Sequence, residues 1–200
     1  MLNDENHLNM FHWSQKRGRY CDYGFHTKNT KLERAPLEPL ADGSPNPASP
    51  HMRRVVSVEP KLRLVSDTFG YVSLFPLFLR LIPYNSPKLG TVLGSLKDED
   101  LLWTPYGLRS LAITSPLYGV RNTEHDPPYW RGAIWINMNY LALSSLHYYS
   151  RLDGPHRQTA FEIYASLRNN LITNIVKEYK HVENQSTVLF SLFAGSLIQW

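Results

Sequence analysis

Two consecutive stretches near the C-terminal end of this 200-residue chain predict a pair of packed helices. Between residues 133 and 151, apolar side chains follow two stripes at helical spacing, which indicates a helix that is apolar nearly all round and therefore buried. Asp-Gly-Pro at 153–155 ends this helix. A second, amphipathic helix then carries apolar residues at Ala160, Ile163, Tyr164, Leu167, Leu171 and Ile175. Because the connection is short, the two helices must run antiparallel, which is the arrangement of inner and outer helices in an (α/α) toroid.

The first third of the chain has a different pattern. Prolines recur between residues 34 and 60, which excludes a long helix and predicts an exposed linker or a long surface loop. Residues 8–13 resemble a helix end, while residues 19–27 and 53–66 alternate β-branched or aromatic side chains with polar ones. Each of these two alternating stretches predicts a short strand.

The helical signal begins after residue 66. Residues 73–82 are apolar, and Pro76 restricts any helix there to one that begins close to it. Ser86 and Pro87 then provide an N-cap and a first-turn proline for a helix that runs to about Leu96.

Composition narrows the class of protein. A chain that is 42% hydrophobic and 12% aromatic is globular, and its length suits one domain. The net charge of +4 comes from scattered lysines and arginines, so the sequence does not favour a nucleic-acid partner. The single cysteine, Cys21, excludes an internal disulfide framework and any multi-cysteine metal site. Residues 187–198 are apolar but fall short of the roughly 20 residues of a membrane-spanning helix, and the polar opening residues do not resemble a signal peptide.

Residues 121–140 combine acidic side chains, a histidine, two arginines and four aromatic rings, and they contain the main candidates for a functional site. Two prolines, 127 and 128, hold the preceding Asp126 on a stiff loop, and Gly132 allows a close backbone approach. Trp130 and Arg131 are thereby presented at the mouth of the following helix, with Trp135 nearby. Flat rings beside a guanidinium suit a sugar, whose C–H faces stack on aromatic rings and whose hydroxyls accept hydrogen bonds. The alternative is a buried Trp/Tyr cluster held by an Arg–Asp pair.

A second cation lies in a turn upstream, where Arg109 follows Gly107 within residues 106–111. The alternative for Arg109 is a solvated side chain. No phosphate-binding glycine loop, His-Glu-x-x-His helix or Gly-x-Ser-x-Gly elbow is found in the sequence, so any catalysis must use carboxylates. Glu124 and Asp126, which flank His125, are the candidates for general acid or base.

Those two carboxylates cannot complete a glycosidase site by themselves. Hydrolysis with inversion requires carboxylates roughly 6.5–9.5 Å apart on opposite faces of the sugar. Residues 124 and 126 share one loop, so a partner must lie elsewhere. The charge run Asp98, Glu99 and Asp100 supplies candidates, although it also fits a solvated turn.

Three longer motifs stand out in the sequence. They are Phe-Gly-Tyr-Val-Ser-Leu-Phe-Pro at 69–76, Trp-Thr-Pro-Tyr-Gly-Leu-Arg-Ser-Leu at 103–111 and Glu-His-Asp-Pro-Pro-Tyr-Trp-Arg-Gly-Ala-Ile-Trp at 124–135. Together they resemble glycoside hydrolase family 63. Met-Phe-His-Trp at 10–13 and Tyr-Gly-Phe-His-Thr-Lys at 23–28 extend the similarity to roughly residues 8–180.

The resemblance implies a mainly α fold, a partial (α/α)6 toroid with a short β-containing N-terminal segment. Residues 1–180 would form a fragment of the catalytic domain, with a Pro-rich loop at about 35–50, and residues 181–200 a divergent tail. The implied activity is inverting removal of the terminal α-1,2-linked glucose from the glucosylated N-glycan precursor in the endoplasmic reticulum.

The resemblance also implies the partner and the site. The partner is a glucosylated high-mannose oligosaccharide. Neither a metal nor an organic cofactor is implied, and the full-length family is membrane-anchored. The implied substrate-binding residues are Tyr106, Arg109, Asp126, Tyr129, Trp130, Arg131 and Trp135.

Two departures from the family pattern concern catalysis. The family's general acid lies in a Gly-Leu-Asp-Asp-Tyr-Pro-Arg type motif, upstream of the segments that match here, and its general base lies in a Trp-Glu-Gln-Tyr motif. Neither motif occurs in this sequence, and Glu183 lacks the flanking Trp and Tyr. We therefore expect no catalytic residue in this chain, which would be an inactive piece of the enzyme. A non-catalytic carbohydrate-binding module and an unstable structural remnant are the alternatives.

Overall fold

The computed structural model describes residues 4–49, 51–121, 123 and 127–184, with the backbone alone for 180–184. The N-terminal part begins with helix α1 (Glu5–His12), which Asp4 caps by accepting a hydrogen bond from the Asn6 backbone N–H at 2.9 Å. Short strands β1 (Trp13–Ser14) and β2 (Arg19–Tyr20) pair behind it. The helix end predicted at residues 8–13 is confirmed.

The next four strands form a long antiparallel ribbon. Strand β3 (Asp22–His26) pairs with β6 (Lys61–Val65), and β4 (Thr30–Arg34) pairs with β5 (Met52–Val56). Three residues, 27–29, join the strands on one side and four, 57–60, join them on the other, so the second side carries an extra residue, as at a β-bulge.

The described part of the tip of this β-ribbon comprises residues 35–49 and 51. The Ala35 N–H donates to the His51 carbonyl at 2.8 Å, and the Leu40 N–H donates to the Ser44 carbonyl at 2.9 Å. The interpretation of residues 34–60 as a linker was therefore wrong, because β5 lies within that range and pairs with a strand about twenty residues upstream. The strand predictions at 19–27 and 53–66 are confirmed, and the second stretch holds two strands.

The helical body follows the ribbon. A 3₁₀ turn (Tyr71–Leu74) leads into α2 (Phe75–Phe78), and α3 (Pro87–Leu96) begins after Ser86, whose Oγ accepts from the Lys88 N–H at 3.3 Å. The predicted cap and first-turn proline of α3 are confirmed. Strands β7 (Trp103–Thr104) and β8 (Gly107–Leu108) then form a tight hairpin.

The chain's longest helices end the described part. Helix α4 (Ile136–Ser150) and helix α5 (Arg157–Asn184) pack against one another, as the sequence predicts. Helix α4 is not buried all round, however, since Tyr140 is 67% exposed. The core between the helices is mainly leucine, and its fully buried aliphatic side chains are Leu74, Leu77, Leu89, Leu93, Leu96, Leu102, Leu108, Leu146, Ile163 and Leu167. Burial of one such side chain contributes about 1.5–3 kcal/mol.

The expected fold class is wrong. The structure is 37% helix and 19% strand, and its described residues hold five α-helices beside four two-stranded antiparallel sheets. A mainly α toroid is not what these elements form. The physical reason is the ribbon, in which β4 forms a strand by pairing with the distant β5, a long-range contact that no local pattern reveals. Among the described helices, none combines the length and the apolar character needed to cross a membrane.

Candidate functional site

Three aromatic rings from residues 129–135 come together at the start of α4. Trp130 and Trp135 stack with centroids 4.5 Å apart and planes 22° apart, and the Tyr129 ring lies 4.5 Å from that of Trp135. Tyr129 is 50% exposed and Trp130 is 48% exposed. We call Tyr129, Trp130 and Trp135 the aromatic wall. Because two of its rings are open to solvent, the alternative of a buried Trp/Tyr cluster does not hold.

Local backbone bonds explain the shape of the aromatic wall. The Arg131 N–H donates to the Pro128 carbonyl at 3.1 Å, which turns the chain after the two prolines. The Trp135 indole Nε1 donates to the Tyr129 carbonyl at 3.3 Å and brings the two ends of the segment together. Gly132 has φ +139°, and a Cβ there would lie 2.8 Å from the Tyr118 ring, so glycine is required.

The two predicted arginines bind backbone carbonyls. The Arg131 Nη1 donates to the Val120 carbonyl at 2.6 Å, and the Arg109 Nη2 donates to the Trp103 carbonyl at 2.9 Å. Both guanidinium groups thus hold loops in place. Tyr106 lies half exposed in the β7–β8 turn, whose Thr104 Oγ1 accepts from the Tyr106 N–H at 3.0 Å.

The β7–β8 hairpin joins the aromatic wall through the backbone. The Ser110 N–H donates to the Ala133 carbonyl at 2.9 Å, and the Ser110 Oγ accepts from the Gly132 N–H at 3.0 Å. The predicted site residues at 106–109 and 129–135 are therefore parts of one structural unit, although their roles in binding stay predictions. Asp126, with Glu124 and His125, lies outside the described residues.

Sequence reasoning missed two buried residues behind the aromatic wall, Tyr71 and Asn139. Asn139 is fully buried, its Oδ1 accepts from the Leu108 N–H at 2.7 Å, and its Nδ2 lies within hydrogen-bonding distance of the Leu108 carbonyl (3.0 Å), the Trp135 carbonyl (2.8 Å) and the Tyr71 hydroxyl (3.2 Å). The Tyr71 hydroxyl donates to the Leu108 carbonyl and accepts from the Trp135 N–H at 3.2 Å. Burial raises the pKa of Tyr71 from its ordinary 10.0 to about 12. Tyr71 falls within a motif that the sequence analysis quoted, but no local pattern distinguishes either residue from an ordinary core position.

A cleft of about 200 Å³ opens beside Trp130. Its lining includes Asp22 and four residues that carry a hydroxyl group, Thr68, Tyr71, Ser73 and Ser110. An indole ring together with hydroxyls and a carboxylate is a composition that suits a small polar ligand.

Other chemistries find no support in the part of the chain that is described. No group of three or more His, Cys, Asp or Glu side chains within it is placed to hold a metal ion. Cys21 is buried, and desolvation raises the pKa of its thiol to about 11. Since the thiolate is the nucleophile, this cysteine is inert at neutral pH.

Comparison with known proteins gives one family and several relatives. Residues 1–185 match the glycosyl hydrolase family 63 C-terminal domain. The chain is 46% identical over 179 residues to mannosyl-oligosaccharide glucosidase GCS1 of Arabidopsis thaliana, and 45% identical over 179 residues to alpha-glucosidase 2 of the same plant. It is also 43% identical over 112 residues to a probable mannosyl-oligosaccharide glucosidase of Schizosaccharomyces pombe.

These alignments differ in how much of each chain they cover. The two plant matches cover 90% of this chain but only 20% and 22% of the relatives, and the yeast match covers 56% of this chain and 13% of that relative. The chain thus spans about one fifth of the plant relatives' length. The resemblance carried by the three sequence motifs is confirmed.

Proposed function

We propose that this chain, which belongs to glycosyl hydrolase family 63, forms one sugar-binding side of a glycosidase that acts on oligosaccharides. The observation that supports this proposal is the exposure of the aromatic wall. Rings held in place by the backbone and left half open to water are suited to stack on the C–H face of a sugar. The hydroxyls and the carboxylate of the neighbouring cleft are suited to bind the sugar's hydroxyl groups.

We further propose the substrate that the family resemblance implies. This is the glucosylated high-mannose N-glycan precursor in the endoplasmic reticulum, from which the terminal α-1,2-linked glucose is removed with inversion. The roles of Tyr106, Arg109 and Asp126 in holding that glucose belong to the same proposal. The plant and fission-yeast relatives, both named as mannosyl-oligosaccharide glucosidases, support the oligosaccharide class.

Catalysis itself is proposed to need carboxylates outside this segment. Inversion uses one carboxylic acid to protonate the leaving oxygen and one carboxylate to activate water. Each proton-transfer group typically contributes about 10²–10⁴-fold to the rate. The purified chain is therefore expected to bind the sugar without hydrolysing it. Release of glucose above a blank would contradict that part of the proposal and direct attention to Glu124 and Asp126.

The binding proposal can be tested with the disaccharide of two glucose units joined by an α-1,2 bond. Titration of the purified chain should quench tryptophan fluorescence, and a β-1,4-linked glucose disaccharide should have less effect. Replacing Tyr129 by Ala should weaken binding about tenfold, which corresponds to about 1.4 kcal/mol. A matched control is Tyr179→Ala, since Tyr179 is also an exposed tyrosine but lies on α5. Equal losses in the two variants would show that the aromatic wall is not the binding surface.

A further inference from the structure

Helix α4 begins at the aromatic wall without a conventional cap. Its N-cap residue is Trp135, whose side chain forms no capping hydrogen bond. The backbone of Trp135 is instead held from behind, since its N–H donates to the Tyr71 hydroxyl and its carbonyl accepts from the Asn139 Nδ2. The buried side chains of Tyr71 and Asn139 thus fix the position of the Trp135 backbone, from which its indole ring extends.

The same two side chains hold the β7–β8 hairpin. The Asn139 amide pairs with both backbone groups of Leu108, accepting from its N–H at 2.7 Å and donating to its carbonyl at 3.0 Å. The Tyr71 hydroxyl donates to that same carbonyl. Leu108 directly precedes Arg109, so the hairpin that carries Tyr106 and Arg109 is tied to the start of α4.

The fit around this network is close. Gly107 has φ +138°, and a Cβ at this position would lie 3.1 Å from the Asn139 Oδ1. A buried amide group left without a hydrogen-bond partner is destabilising, so the network favours a single arrangement of the Trp135 backbone and the hairpin. Binding sites keep their geometry through such supporting hydrogen bonds.

We infer that Tyr71 and Asn139 are positioning residues, which set the aromatic wall and the 106–109 turn relative to each other through their hydrogen bonds to the backbone of Leu108 and Trp135. This inference rests on the proposed function for its binding consequence. Its structural consequence, the stacking of Trp130 on Trp135, can be measured independently. A stacked indole pair gives an exciton band in circular dichroism that depends on the distance and angle between the rings.

The experiment compares Tyr71→Phe with Tyr149→Phe in the purified chain. Both tyrosines are buried and both hydroxyls donate to a backbone carbonyl, Tyr71 to Leu108 and Tyr149 to Ile82, at opposite ends of α4. Tyr71→Phe should reduce the exciton band and weaken binding of the α-1,2-linked glucose disaccharide about tenfold, even where both variants are fully folded. Tyr149→Phe should change neither the exciton band nor the affinity for the disaccharide, even if the variant is less stable.

Each possible result decides the inference. Equal band intensity and equal affinity in the two variants would overturn it. If the unaltered chain binds no disaccharide, the proposed function fails, and the exciton band alone then tests the positioning role.

If Tyr71→Phe does not fold, Asn139→Asp replaces it. A buried carboxyl regains a donor only when protonated, so the band should recover as the pH falls from about 8 to about 5. An Asn139→Asp band that does not depend on pH would count against the role.

Discussion

The β-ribbon and the helical body stabilise their structures in different ways. In the ribbon, most side chains of β4 and β5 are exposed, and register is maintained by backbone hydrogen bonds between strands. In the body, leucines from α3, α4 and α5 are fully buried against each other. Surface ion pairs such as Lys31 with Glu33 add little to the ribbon. The difference indicates that apolar burial positions helix α4, at whose start the aromatic wall lies, whereas β4 and β5 depend mainly on backbone pairing.

The largest expected difference is in the response to leucine truncation. Leu146 is fully buried in α4, and Leu32 is 50% exposed in β4. Leu146→Ala should lower the free energy of unfolding by about 2–5 kcal/mol, and Leu32→Ala by less than about 0.5 kcal/mol. Urea denaturation followed by circular dichroism measures both. Similar losses would mean that the ribbon carries a core of its own.

Hydrogen exchange should separate the two regions next. Backbone amides in α4 and in α5 up to residue 171 are expected to exchange about a hundredfold more slowly than those of β4 and β5, because the exposed ribbon opens locally while the packed helices open only with the body. Mass spectrometry of peptic fragments gives the rates. Equal protection would place the ribbon and the body in one cooperative unit.

Replacing a glycine by alanine should lower the free energy of unfolding by about 1–3 kcal/mol more in the helical body than in the ribbon. Gly107 has φ +138°, and a Cβ there would lie 2.8 Å from Leu171 Cδ2, whereas a Cβ at Gly24 in β3 would meet nothing within 4 Å. Gly107→Ala is therefore expected to lower the midpoint of thermal unfolding clearly, and Gly24→Ala to leave it nearly unchanged. An unchanged midpoint for Gly107→Ala would show that the hairpin can shift away from α5.

The smallest expected effect is the dependence on pH. In the body, burial raises the pKa of Tyr71 to about 12 from its ordinary value of 10.0. The stability from this group is complete below pH 10 and is lost as the pH rises towards 12. In the ribbon, burial, with help from Arg63 and Lys28, lowers the pKa of His26 below its ordinary 6.5. The stability that His26 contributes is complete above pH 6.5 and is lost as the pH falls through the lowered pKa.

The free energy of unfolding, measured across the pH range, tests the direction of both pH dependences. Tyr71→Phe should reduce the loss of stability on the alkaline side alone, to which Tyr20, Cys21 and Tyr149 also contribute because burial raises the pKa of each. His26→Gln should reduce the loss on the acid side alone. The reverse assignment would contradict the environments described for these two groups.

The local elements were largely predictable because their signals are local. The Ser86 cap, the first-turn proline of α3 and the α4–α5 pair follow from residues close together in the sequence. The ribbon was misjudged because Thr30 pairs with Val56, and the prolines between those strands suggested a linker. Nothing in the pattern around Arg131 or Arg109 indicated that their guanidinium groups bind the carbonyls of Val120 and Trp103.

The sequence by itself determined the family, the helix pair and the cluster of aromatic residues that starts α4, because motifs, helical periodicity and prolines act over short distances. Only the tertiary structure decided which rings stay open to water and which side chains hold them. Asn139 has the spacing of any residue on the buried stripe of α4, and it becomes the link between Tyr71, Leu108 and Trp135 only when three distant segments meet. A buried amide must satisfy its hydrogen bonds wherever the fold places it, and the partners available there depend on the packing of the whole body.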